Sequence, residues 1–192
     1  FYESGASASG LSRYSARILE LLADGALNPL FTQADFDAER AKLIEGLKSD
    51  EKSASAIAAR VQNVLTFGKE HYNGEFTSEE TLKNVTLQDV INHYNTYFVP
   101  ANAYLVIIGD VKTKDVKKKV EQLFGADVWK TATAPNLTYN DPKELQYSQI
   151  NFVDVPNAVQ SEIALINLSK LKMNDKDYFA AILANQILGG GG

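Results

Sequence analysis

The sequence predicts an α+β protein in which an antiparallel sheet packs against helices, and three observations carry that expectation. Apolar residues recur at helical spacing through most of the N-terminal half. The stretch "AYLVIIGDV", residues 103–111, is a short apolar and β-branched run stopped by Gly109-Asp110, the pattern of a buried strand. Beyond the middle of the chain, "SQINFVDVP" and "SEIALINLS" alternate or run apolar as further strands before a last helix. The order helices, strand, helix, linker, strands, helix points to α+β rather than to a regular βαβ repeat.

The first helix is expected within residues 11–30, with Leu11, Ile18, Leu21, Leu22 and Ala26 as its apolar stripe and Asn28-Pro29 as its end. A second follows Thr32, an N-cap residue with Asp35 in the first turn, and runs through Phe36, Leu43 and Leu47. After the polar break "SDEKS" a third uses Ile57, Val61, Val64 and Leu65 and stops at Gly68. The loop "KEHYNGEF" leads to two short helices. One starts with capping-box spacing from Thr77 to Glu80, and the other starts at Thr86. "KTKDVKKKVEQLFG" is amphipathic on Val116, Val120 and Leu123, with Gly125 at its C-terminal end. Residues 128–147, with Pro135, Asn136, Asn140, Asp141 and Pro142 and few periodic apolar positions, read as a linker. "KDYFAAILANQILGG" closes as a helix entering a glycine run.

Composition narrows the function classes. With 192 residues, 45% of them hydrophobic, the chain can bury one sizeable core or parts of two. The net charge is −5 and the Lys and Arg residues are scattered, apart from Lys117, Lys118 and Lys119 in a helical pattern, which argues against nucleic acid as a partner. There is no Cys, so disulfides and thiolate metal sites are excluded, while cytosol and envelope compartments both stay open. No apolar run reaches the roughly 18 to 20 residues of a membrane span. Phe1 opens the chain without a Met and "ILGGGG" closes it, so it reads as an excerpt of a longer one. The glycine run at 189–192 is not a phosphate loop, because a helix precedes it and no Lys-Ser or Lys-Thr follows within the chain.

Five pieces, in order, resemble the zinc metallopeptidases that include insulinase, pitrilysin and the mitochondrial processing peptidase. They are "LELLADGALNPLFTQADFDAER", "VTLQDVINHYNTYFVPANAYLVIIGDV", "VEQLFG" with Trp129, "VQSEIALIN", and "DYFAAILANQILGGG". The resemblance implies that residues 1–127 are the later part of one α+β domain and that 148–192 open a second, homologous one. In that family, paired domains enclose a chamber that takes in unfolded peptide. The resemblance also leans the compartment toward a bacterial cell envelope or periplasm.

Chemistry in that family rests on an inverted motif, His-x-x-Glu-His, with two zinc ligands four apart on one helix face and a Glu that activates the bound water. The chain has only His71 and His93, neither with the required partner; the family would place its motif upstream of Phe1. His71 in "HYNGE" is similar to the family's His-Pro-Tyr-Gly loop, but it lacks the proline and its Tyr is shifted, so a surface turn residue is expected. His93, beside Tyr94 in a helix, is expected to pack.

The stretch "FDAERAKLIEGLKSD" resembles the helix that supplies the third ligand. In catalytic members a Glu-Arg pair opens it, matched here by Glu39 and Arg40, and the ligand Glu comes seven residues after the first Glu. Here that position is Gly46. Glu45 lies one residue early, about 100° around the helix. The resemblance thus implies a vacant ligand position at Gly46, with Glu39 as a residue that would support the ligands from behind. Two alternatives stand beside it. Gly46 is a packing glycine under a close backbone, or the register is one residue off and Glu45 is the ligand. Without a metal, Glu39 and Glu45 are solvated helix charges, and Glu45 is placed to pair with Lys42 or Lys48.

The expectation is a zinc-less half of such a peptidase, with no cofactor in this segment and with zinc in the parent protein or its partner. It would bind unfolded peptide and complete the chamber with a homologous zinc-bearing subunit. The alternatives are part of an active zinc endopeptidase with its motif upstream, and a non-catalytic structural core subunit.

Overall fold

The structure is a computed structural model that describes residues 4–130, 132–138, 141–143 and 147–190. The last two glycines of the expected glycine run, and parts of the expected linker, lie outside the described residues. Among the described residues seven α-helices follow in order: α1 (Ser15–Leu27), α2 (Gln33–Asp50), α3 (Ala54–Phe67), α4 (Glu79–Asn84), α5 (Leu87–Tyr97), α6 (Thr113–Phe124) and α7 (Tyr178–Asn185). A 3-10 turn at Ser12–Tyr14 leads into α1.

The helix boundaries follow from local chemistry. The hydroxyl of Thr32 accepts the backbone N–H of Asp35 and starts α2. Ser53 does the same for Ala56 at α3, and Gly68, at φ +83°, ends that helix in a conformation an L side chain resists. The box at α4 is one residue later than the sequence spacing suggests. Ser78, not Thr77, is the N-cap, and its reciprocal partner is Thr81, not Glu80. Thr86 and Asp89 form a reciprocal box at α5. Gly125 follows α6 as expected, and α7 runs into a wider turn at Gln186–Gly190.

The chain divides into two compact units, Phe1–Lys52 with Phe76–Asn140, and Ser53–Glu75 with Asp141–Gly192. In the first, α1 packs on α6 and α2 on α4. The buried face of α1 is Leu19 and Ala23, four residues apart and each 6% exposed, while Leu11 and Leu21 from the expected stripe face outward. Aromatic rings extend this core. Phe31 meets Tyr94 edge-on at 5.4 Å, Tyr94 stacks on Phe98 at 5.0 Å, and Phe98 leads to Trp129 at 5.4 Å. Val99, next to Phe98, is buried. The phenol of Tyr94 donates to the carbonyl of Ala26, and Lys119 of α6 pairs with Glu20 of α1 at 2.7 Å.

The expected antiparallel sheet is not there. The described residues form helices, turns and irregular chain, with no strand among them. Residues 103–108 belong to no regular element, and their exposure alternates: Tyr104, Val106 and Ile108 are 96%, 75% and 92% exposed, against 42% and 37% for Leu105 and Ile107. A strand needs a hydrogen-bonded neighbour about 4.8 Å away, and this segment has none among the described residues. The same holds for the other two expected strands, where Ile150, Phe152, Ile163 and Leu165 all face outward. The described fold is all-helical, which corrects the α+β expectation.

In the second unit, α3 and the non-helical segments at 149–155 and 160–168 line a cleft of about 1160 Å³. Ile57, Val61 and Leu65 supply its helical wall, and Phe152, Ile163 and Leu165 its non-helical walls.

Candidate functional site

The residues singled out on chemical grounds lie on α2. Its entry is built by a short-range device. Thr32 is the cap, Phe31 precedes it, and Phe36 is the fourth helical residue, the spacing of a hydrophobic staple. Both rings line a groove of about 310 Å³ that also takes in Leu30, Leu43, Leu82 and Val85. Asp35, Glu39 and Arg40 stand at its polar edge. Arg40 lies over the Phe36 ring, 4.9 Å from its centroid, and binds Asp37 at 2.7 Å, so its charge is held against the helix surface.

Glu39 and Glu45 are exposed, and each is engaged by a lysine three residues on. Lys42 binds Glu39 at 2.5 Å, and Lys48 binds Glu45 at 2.8 Å. The hydrogen bond that Lys48 donates to Glu45 holds its ammonium above the usual range, with the Glu45 charge adding to it. Gly46 is exposed, and a Cβ built on it would meet no atom within 4 Å. The position is open on the helix surface, so no close backbone among the described residues demands a glycine there. Gly46 returns to within about 20° of Glu39 around the axis at 100° per residue, whereas Glu45 is turned well away.

The two histidines do not join this helix in a site. His71 lies in the turn after α3, half-buried, with its ring stacked on Phe67 at 5.2 Å and on Tyr72 at 4.3 Å. The expected surface turn residue is thus in a turn, but seated between rings. His93 lies on the exposed side of α5, 4.7 Å from Tyr97. Among the described residues no group of three or more His, Cys, Asp or Glu side chains could hold a metal ion. A zinc ion does not fit the donors that α2 offers: two outward carboxylates on different faces, each already bound to an ammonium, and a glycine with no donor at all. No helix of the described residues is long and apolar enough to cross a membrane.

The family described as the peptidase M16 inactive domain matches residues 84–192. The chain belongs to this family. The match makes it an insulinase-like chain of the non-catalytic kind, as the resemblance implied. It begins at the end of α4 and takes in α5, the segment 103–108, α6, the expected linker, the non-helical segments of the second unit and α7. Helix α2, with Glu39, Glu45 and Gly46, lies outside the matched range. No curated protein matches the chain.

Sequence reasoning missed the apolar groove beside α2. Leu30 and Phe31 directly before a capping Thr, with Phe36 four places into the helix, were the local signal for it. Leu82 and Val85 come from a distant part of the chain, and no local pattern announces their approach.

Proposed function

We propose that this inactive-domain member of the M16 family binds unfolded peptide and completes a proteolytic chamber with a homologous, zinc-bearing subunit. The observation that carries the reading is the match of residues 84–192 to the peptidase M16 inactive domain. The cleft of the second unit supports it. Its non-helical segments offer backbone N–H and C=O groups that join no ladder among the described residues, together with apolar side chains such as Phe152 and Leu165, which are the two elements of strand-addition recognition. Affinity would come from the main chain and preference from the alternate side chains, so many unrelated unfolded sequences would be accepted.

In this reading residues 1–127 belong to one domain and 148–192 to the next, the position at Gly46 is a lost zinc ligand, and the parent or its partner holds the metal. The test is to purify the protein alone, without added metal or chelator. Its zinc content is measured, along with binding and cleavage of a fluorescent unfolded peptide. Bound peptide, no cleavage and no zinc are expected, with cleavage arising when the zinc-bearing homologue is added. Stoichiometric zinc that disappears in Glu45→Gln would replace this reading with an active peptidase. Absence of peptide binding would leave a structural subunit in its place.

A further inference from the structure

We propose that the turn at residues 68–75 is a proton-sensitive catch whose acceptor is the His71 ring. The turn leaves α3 at Gly68, in the left-handed region, and folds back on itself. The N–H of Gly74 and that of Glu75 both donate to the His71 carbonyl, at 2.7 and 2.9 Å, and the His71 N–H donates to the Gly68 carbonyl at 3.3 Å. Gly74 is buried so closely that a Cβ there would fall on the Gly68 carbonyl oxygen. The remaining bond runs to a side chain: the Asn73 N–H donates to Nδ1 of His71 at 3.1 Å.

That last bond exists in one protonation state only. A ring nitrogen that accepts an N–H carries no proton of its own, so the bond belongs to the neutral imidazole with its hydrogen on Nε2. Protonation places a hydrogen on Nδ1, and two donors then face each other where a donor met an acceptor. The stacking on Phe67 and Tyr72 has no such requirement, because an imidazolium is also attracted to an aromatic face. Acid therefore removes this one bond at Asn73 while the ring stays seated and the backbone bonds of the turn remain. The charged groups of the turn are Lys69, Glu70 and Glu75, the charged residue of α3 is Arg60, and Tyr72 is the titratable group stacked on the ring.

The test is amide exchange by NMR on the whole chain, expressed as protection factors, above and below the titration of His71 followed by its own ring proton. Protection at Asn73 is expected to fall on the order of fivefold on the acid side, the worth of one hydrogen bond. In His71→Asn the side-chain carbonyl takes over as an Asx-turn acceptor with no proton to gain, so protection stays high throughout. In His71→Phe the stack is kept without an acceptor, so protection is low at both pH values. Unchanged protection at Asn73 across the titration in the wild-type chain would overturn the proposal, as would an equal step in His71→Asn.

Discussion

The hydroxyl of Tyr94, on α5, donates a 2.6 Å hydrogen bond to the backbone carbonyl of Ala26, in the last turn of α1. The last carbonyls of a helix have no partner within it, and here a side chain from far along the chain supplies one. Partial burial raises the phenol above its usual pKa, so it stays protonated and able to donate at neutral pH. Tyr94→Phe keeps the edge-on contact with Phe31 and removes only this bond. It should lower stability by about 1 to 2 kcal/mol, read from the urea midpoint at unchanged slope.

The box at the start of α5 gives a second test. The Thr86 hydroxyl donates to Asp89 at 2.6 Å and accepts the Asp89 N–H, while the Thr86 N–H donates to the same carboxylate. Thr86→Ala should cost about 1 kcal/mol. The Thr86 hydroxyl, and then its backbone N–H, hold the Asp89 carboxyl below the usual carboxylate range. The folded chain therefore binds a proton at this group less readily than the unfolded chain. Its contribution is complete above about pH 4, the ordinary Asp value, and is lost as the pH falls through the lowered one. The stability gap between wild type and Asp89→Asn, measured by denaturant titration at pH 7 and then at successively lower pH, should narrow toward acid.

The Glu20 carboxylate between Lys119 and Arg17 behaves alike, with a difference in origin. The Lys119 hydrogen bond is the largest of the causes that lower its pKa, ahead of the Arg17 bond. This group is solvent-exposed, so salt should screen its coupling to α6. A double-mutant cycle with Glu20→Gln and Lys119→Met should give a favourable coupling in low salt that shrinks in 1 M salt. A coupling indifferent to salt would mean that the two side chains interact through packing.

Gly46 separates a packing glycine from a vacant position. With open space around its missing Cβ, Gly46→Ala should stabilise the chain by roughly 0.5 to 1 kcal/mol, the helix-interior difference between the two residues. The thermal midpoint would rise accordingly. A fall would reveal a neighbour pressed against that face in solution.

These outcomes bear on how much the sequence discloses. Thr32, Thr86, Gly68 and Gly125 mark helix ends correctly because a cap is chosen by residues three or four positions away, all visible in one short window. The shift from Thr77 to Ser78 shows the limit of that window, since two adjacent hydroxyl residues compete for one role. The α1 stripe was partly misread because Leu11 falls before the helix and Leu21 on its outer face, while the buried residues of this helix are Leu19 and Ala23. The strands failed for a larger reason. Alternation at 104–108 favours a strand, but pairing depends on a second segment that local pattern cannot name. For the site, the family was legible in ordered pieces such as "YFVPANAYLVIIGDV". The groove of α2 was not, since a third of its lining, Leu82, Val85, Leu87 and Val90, comes from α4 and the start of α5.

The outward row of Tyr104, Val106 and Ile108 also sets how the chain must be handled. An exposed apolar, β-branched segment unpaired among the described residues is a template on which other copies can deposit, and neither a Pro nor a charged residue interrupts residues 103–108. Produced by itself, this chain should clump with rising concentration and temperature. A single lysine at Val106, on the outward row, should act as a gatekeeper and delay the onset of turbidity.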